Sequence, residues 1–226
     1  MLRLHETSLR RFLRVALLVT GLGVSASPAI LCASEPATVL RLPLDDYPID
    51  DDCGPWGFFN PNFLRCGLSG KHVADDACAP AGTPVLAVGP GRVMYGTQVG
   101  NCNTNWGWIT VVEHQRLDGS RFCSIYGHCR PLPGILPGLE VAAGQQIATV
   151  DFPCGGQHIH FGIAIGEYEA DAGNYPGWLL GYLPDGITCE GQPISFPGRY
   201  VEPVAFVLDT TPVVPASWSG LKTRVP

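Results

Sequence analysis

Glycine and proline decide what this chain can become. Twenty-eight of one and twenty-one of the other are spread through 226 residues, and from Thr38 onward no apolar period of 3.6 residues is sustained. Such punctuation suits short strands joined by turns and argues against a helical core. Residues 85–88, 91–95, 108–114 and 122–128 read as successive strands with Gly-rich turns between them, and the Asn-rich stretch 100–107 as a hairpin tip. Residues 139–148 read as strand, glycine turn, strand. Residues 163–195 are a long Gly- and Pro-rich excursion, 198–208 return as a last strand, and a Pro-rich tail runs from 211 to 226.

The stretch Gly156-Gln157-His158-Ile159-His160-Phe161-Gly162 is the strand that carries chemistry. Side chains alternate along a strand, so Ile159, Phe161 and Ile163 pack on one face while His158 and His160 project together from the other. Alone, His-x-His is a weak signal, because two histidines on a strand face are more often hydrogen-bonded surface residues than ligands. Partners elsewhere strengthen it. In Gly70-Lys71-His72-Val73-Ala74-Asp75-Asp76 a histidine and an aspartate four residues apart offer nitrogen and oxygen ligands suited to zinc. A fully extended strand would hold them about 13 Å apart, so the segment must turn if both are to touch one ion.

The first thirty or so residues are of another kind. Arg3, Arg10, Arg11 and Arg14 precede an apolar run over 15–24 and then small residues, the layout of a secretory signal peptide with cleavage expected after Ala26 or Ala33. Leu31 is too large for the residue before a lipidated Cys32, and Arg10-Arg11-Phe12 lacks the spacer of a twin-arginine signal. The apolar run is too short for a comfortable membrane span, so none is expected after cleavage. Without Cys32, eight of the nine cysteines remain: Cys53, Cys66, Cys78, Cys102, Cys123, Cys129, Cys154 and Cys189. An even set with no Cys-x-x-Cys pair favours disulfides in an oxidising compartment over a cysteine zinc site. Losing four of its 14 basic and one of its 20 acidic residues takes the mature chain to a net charge near −9. That argues against nucleic acid as a partner, and against a purely electrostatic hold on an anionic wall.

Residues 34–52 are acidic and Pro-punctuated, ending in Asp50-Asp51-Asp52, and read as an extended arm or solvated linker. No spaced acidic loop follows that would make a calcium site. Between Cys53 and Cys66 lies the aromatic loop Gly-Pro-Trp-Gly-Phe-Phe-Asn-Pro-Asn-Phe, which suits either a disulfide-pinned groove wall or a small satellite core. The glycine turn in 139–148 is also like that of biotinyl and lipoyl carriers, but it has no modifiable lysine at its tip.

Five motifs in order, over about ninety residues, resemble the lysostaphin-like, or LytM-type, zinc metalloendopeptidases, which cut peptide bonds in bacterial peptidoglycan. They are His72 to Asp76, the Ala-Pro-x-Gly-Thr-Pro-Val run from Ala79 to Val85, Tyr126-Gly127-His128, a Val-x-x-Gly-Gln-x-Ile turn from Val141 to Ile147, and Gly-x-His-x-His-Phe from Gly156 to Phe161. The resemblance puts Asp76 rather than Asp75 at the ligand position. It implies that His72, Asp76 and His160 hold zinc, and that His128 and His158 stand near it as catalytic groups. Strand alternation by itself does not separate His158 from His160. Three protein ligands leave a position open for water, as a catalytic zinc requires. Proton transfer and oxyanion stabilisation are assigned jointly to the two histidines that the resemblance places near the metal, His158 and His128; there is no His-Glu-x-x-His helix, so the usual glutamate base is missing. Ala74 stands where the family has glycine, and the cysteines and an insertion over about 166–198 are additions; the insertion is expected to line the substrate groove. His114 is read as structural, with a supporting role behind the metal ligands as the alternative.

The fold so implied is all-β and LytM-like: an antiparallel sheet core with a second small sheet and long loops forming a groove, the zinc on its floor. The expected layout is a signal peptide at 1–33, an extension with the aromatic loop at 34–66, the zinc peptidase domain at 67–210 and the tail at 211–226. The expected activity is that of a secreted or periplasmic zinc endopeptidase acting on stem or cross-bridge peptides of peptidoglycan. The alternative is a non-catalytic module that activates a cell-wall amidase or binds a regulatory envelope protein. It is disfavoured because all five polar positions are kept.

Overall fold

Strand β12 (His158–Ile165) is buried along all but its last residue, and the largest sheet grows outward from it. The computed structural model describes residues 35–49, 52–65, 68–99, 107–151, 157–169, 182–184, 186–187, 193–194 and 196–210. All lie within the unit 33–226. The signal-peptide reading, the hairpin tip over 100–106, most of the insertion, the tail after 210 and Cys66, Cys102, Cys154 and Cys189 lie outside the described residues.

On one side β12 pairs with β8 (Arg121–Gly127), followed by β7 (Gly107–Gln115), β6 (Gly91–Val99) and β10 (Glu140–Val141). On the other side it pairs with β4 (Asp75–Cys78), then β1 (Asp52–Gly54), and β16 (Tyr200–Val201) borders its far end. A second sheet has the order β5 (Pro84–Leu86), β11 (Gln146–Val150), β9 (Cys129–Pro131), and a third the order β13 (Tyr182–Pro184), β3 (Leu68–His72), β2 (Phe59–Arg65). Every one of these pairings is antiparallel. The expected all-β fold, a main antiparallel sheet with smaller ones beside it, is what forms.

Alternation divides the core in two. Ile159, Phe161 and Ile163 point to one face with Ala77, Val112, Phe122 and Tyr126, and pack against Val85, Ile147 and Val150 of the second sheet. The other face carries Val73, Ile109, Val111, Cys123, Ile125 and Ala164. Each fully buried large apolar side chain contributes about 1.5–3 kcal/mol, and a one-residue slip of β12 would turn all three to the wrong side. The register is thereby fixed.

Two sequence expectations need correction. The acidic stretch before Asp52 is not a solvated linker: Leu40 and Leu44 are buried in the first layer. Ala37 and Arg41 donate backbone N–H groups to the carbonyls of Gln115 and Val88, and Leu86 donates to Pro43. Its average composition conceals the leucines that reach the core. Residues 198–208 are not one strand either, because after β16 the chain enters helix α1 (Pro203–Thr210). Pro203 occupies the first turn, where its missing N–H has no helical partner to lose, and the Glu202 carboxylate accepts from the N–H groups of Val204 and Ala205. Eight residues are too few to register as a helical period.

His114 is structural. Fully buried, it donates from Nδ1 to the Pro90 carbonyl at 2.8 Å, and its Nε2 lies 2.7 Å from Ser124 Oγ. Ser124 Oγ is 2.9 Å from the Tyr126 hydroxyl, which accepts from the Val88 N–H. A neutral ring has one N–H, here given to Pro90, so Ser124 donates to Nε2 and Tyr126 to Ser124. Burial lowers the His114 pKa from 6.5 to about 4, against a smaller opposing pull from Pro90. Below pH 6.5 the unfolded chain therefore binds a proton that the native ring refuses until about pH 4. The stabilisation is complete above pH 6.5 and falls as pH drops, by about 3 kcal/mol at pH 4; His160 in the metal-free protein, its pKa also lowered by burial, acts in the same sense. Urea unfolding of the metal-free protein at pH 7 and pH 4 checks this, and equal stabilities would show that His114 protonates normally in the fold.

Candidate metal centre

Register puts four residues in one row across the main sheet. Gly54 on β1 lies opposite Asp76 on β4, Asp76 opposite His160 on β12, and His160 opposite Gly127 on β8. Cross-strand neighbours stand about 4.5–5.5 Å apart at Cβ, and here Asp76 Oδ1 and His160 Nδ1 meet at 2.9 Å. The flanking glycines leave room for them. A Cβ on Gly127 would fall 2.9 Å from His160 Cβ, and one on Gly54 would fall 2.8 Å from Asp76 Oδ2. Asp75 faces away and accepts a 2.5 Å hydrogen bond from the Tyr47 hydroxyl.

His72 arrives from a different sheet. Strand β3 ends on it, the chain breaks at Val73 and Ala74, and β4 begins at Asp75. This break is the turn that the four-residue spacing demands, and it brings His72 Nε2 within 3.3 Å of Asp76 Oδ1 and 3.1 Å of His160 Nδ1. The crossing passes close over β12, where a Cβ on Gly162 would meet the Val73 carbonyl at 3.3 Å. His72 Nδ1 lies 3.2 Å from the Pro55 carbonyl. A carbonyl only accepts, so Nδ1 carries the ring proton and Nε2 presents its lone pair.

His158 and His128 stand beside these three. His158 Nε2 is 3.7 Å from Asp76 Oδ2, and the rings of His128 and His158 are 4.6 Å apart at their centroids. His128 reaches this face by breaking alternation. Cys123 and Ile125 of β8 lie on the site side and Tyr126 on the other, so a continued strand would turn residue 128 away. Instead His128 adopts φ 59°, the only positive φ outside glycine among the described residues, at the joint where the chain leaves β8 for β9 of the second sheet.

The donor set suits a cation. Burial would raise the Asp76 pKa, but hydrogen bonds and charge from His160 and His72 outweigh it and hold the carboxyl well below its usual range. Burial lowers the His160 pKa, with Asp76 opposing. A carboxylate oxygen and two imidazole nitrogens thus converge, 2.9–3.3 Å apart. A tetrahedral zinc with bonds of about 2.0–2.1 Å spaces its donors about 3.3 Å apart. Lone pairs aimed at one point repel unless a proton or cation stands between them, so the residues present fit zinc.

The cysteines depart from full pairing. Cys53 bonds Cys78, not Cys66 across the aromatic loop, and Cys123 and Cys129 are buried free thiols. Each behaves as a small apolar residue with a weak donor: Cys129 Sγ faces the Gly127 carbonyl at 3.0 Å, and burial pushes the Cys123 thiol up to about 12. The aromatic loop serves partly as satellite core, Trp56 packing on Phe196 at 5.3 Å, while Phe58 and Phe59 stay half exposed. The insertion returns to the site's edge, with Tyr182 of β13 opposite His72 of β3. Arg199 closes its base by donating to the carbonyls of Ile165 and Glu167.

Residues 70–172 match the model of peptidase family M23. The resemblance to the lysostaphin-like peptidases is thus shown over that segment, which holds all five motifs and runs from β3 to just beyond β12. No curated protein matches the chain. Among solved structures, a zinc containing peptidase from Vibrio cholerae is 26% identical, over 58% of this chain and 37% of that one, with a TM-score of 0.43. The catalytic domain of the antimicrobial peptidase lysostaphin from Staphylococcus simulans is 21% identical, over 57% and 91%, with a TM-score of 0.40. The chain spans little more than a third of the Vibrio cholerae protein's length. The M23 segment leaves out Gly54 and Pro55, which touch two of the candidate ligands; no sequence signal marked either.

Gly127→Ala tests the packing of the row. Its Cβ meets the root of a buried ring rather than a movable tip, so the variant is expected to lose about 1–3 kcal/mol, read from the urea midpoint. An unchanged midpoint would show that His160 has space to withdraw.

Proposed function

We propose that the mature protein is a secreted zinc-dependent endopeptidase that hydrolyses stem or cross-bridge peptides of bacterial peptidoglycan. The observation that carries this reading is the convergence of His72, Asp76 and His160 on one point, with His158 and His128 alongside, inside a segment that matches a peptidase family. His72 Nε2, Asp76 Oδ1 and His160 Nδ1 would hold the metal, three protein ligands being the number typical of catalytic rather than structural zinc. Zinc bound there would supply Lewis acidity and a water with a pKa of about 7, reactive at neutral pH.

His158 and His128 then share two tasks. One neutral ring takes the proton of the attacking water and returns it to the leaving amine; the other donates an N–H to the oxyanion that develops on the scissile carbonyl. His158 Nε2 lies 3.7 Å from the second carboxylate oxygen of Asp76, which keeps the ring beside the metal position. The exposed Phe58 and Phe59, beside His72, offer apolar surface to a substrate peptide. Export through the signal peptide at 1–33 agrees with the Cys53–Cys78 disulfide, a bond of oxidising compartments. No helix among the described residues is long and apolar enough to cross a membrane.

The test is zinc content together with amine release from purified peptidoglycan, with and without chelator. One zinc per chain and chelator-sensitive release are expected. His160→Ala should lose both, whereas His158→Ala and His128→Ala should keep zinc and lose about 10²–10⁴-fold in turnover. Full cleavage by His160→Ala would overturn the proposal. Stoichiometric zinc without cleavage by the wild type would favour a non-catalytic module that activates a wall amidase or binds a regulatory envelope protein.

A further inference from the structure

We propose that residues 53–58, outside the M23-matched segment, form an arm that positions two metal ligands at once and so sets the affinity of the site for zinc. This rests on the zinc reading of His72, Asp76 and His160. Those ligands come from separate sheets: His72 ends β3 and Asp76 lies in β4, with the break at Val73 and Ala74 between them. Neither sheet alone fixes the distance from one ligand to the other. The arm is bonded to both.

Its hold on β4 is covalent and steric. Cys53 is joined to Cys78, two residues beyond Asp76, with Cα atoms 5.3 Å apart. Gly54 lies opposite Asp76, and the space where its side chain would stand is filled by Asp76 Oδ2, 2.8 Å from an ideal Cβ. Its hold on His72 is made of hydrogen bonds. The Pro55 carbonyl lies 3.2 Å from His72 Nδ1, which fixes the tautomer that frees Nε2. Gly57 N–H donates to the His72 carbonyl at 2.9 Å, and His72 N–H donates to the Phe58 carbonyl at 2.8 Å. Trp56, between these contacts, is packed on Phe196. Partners that orient metal ligands in this way typically govern metal affinity by about 10- to 100-fold.

Two variants of the full mature chain test the arm, with zinc affinity read by chelator competition and the melting midpoint read on the metal-free protein. Gly54→Ala pushes a methyl group at the Asp76 carboxylate, and Cys53→Ser with Cys78→Ser releases the arm from β4. Gly96→Ala, on β6, where a Cβ meets only an ordinary contact at 3.7 Å, is the control. Gly54→Ala is expected to weaken zinc binding about 10- to 100-fold while its metal-free midpoint stays within about 3 °C of wild type. The double serine variant should weaken binding in the same direction, and Gly96→Ala should leave it unchanged. Wild-type zinc affinity in Gly54→Ala would overturn the proposal, as would a loss of affinity matched by a collapse of the metal-free midpoint in both arm variants. If the wild type itself retains no zinc, the site reading fails and the arm's role falls with it. If the wild type binds zinc and both arm variants bind it equally well, the arm alone is refuted.

Discussion

A carboxylate and an imidazole paired across two strands, Asp76 and His160, set the geometry on which the site depends. Burying an ionised carboxylate costs several kcal/mol unless close partners compensate, and here His160 and His72 supply the compensation. The pair is held from behind. Ile159, Phe161 and Ile163 occupy the opposite face of the same strand, and their burial prevents a slip that would carry His160 into the apolar layer. An apolar pattern on one face thus dictates a polar row on the other.

Regular strands deliver only three of the five polar residues, Asp76, His158 and His160, in usable order. His72 needs the break at Val73 and Ala74, and His128 needs a left-handed backbone at the step from the main sheet to the second. Both irregularities fall where the chain changes sheet. At such joints a side chain can be aimed independently of strand alternation, and the joints are steadied by neighbours: Gly162 gives way beneath Val73, and the hydrogen-bonded run of His114, Ser124 and Tyr126 anchors the residues before His128. The buried hydroxyls and neutral imidazole of that run are fully satisfied, so it adds rigidity without an unpaired group.

Much of this was legible in the residues. Period-two alternation gave the two faces of β12, and the i to i+4 spacing of His72 and Asp76 required a turn that is present. The choice of Asp76 over Asp75 came from motif register, and the opposed directions of the two side chains agree with it. Other features carried no local signal. His128 sits on the site side only because of its positive φ, which its sequence neighbours do not announce. Leu40 and Leu44 are isolated in an acidic, Pro-rich stretch, and the helix after Glu202 is too short for its period to show. Cys53 lies near Cys66 in sequence but near Cys78 in the sheet, because strand pairing outranks proximity along the chain. The carbonyl of Pro55 is invisible to any side-chain pattern.

X-ray absorption at the zinc edge of the loaded protein tests the proposed ligand set most directly. Two imidazoles and one carboxylate with an open position predict a shell of nitrogen and oxygen alone at about 2.0–2.1 Å, with multiple scattering from two histidine rings. A sulfur at about 2.3 Å, which would bring a thiol onto the metal, or scattering from a third imidazole, which would draw His158 or His128 onto it, would contradict it.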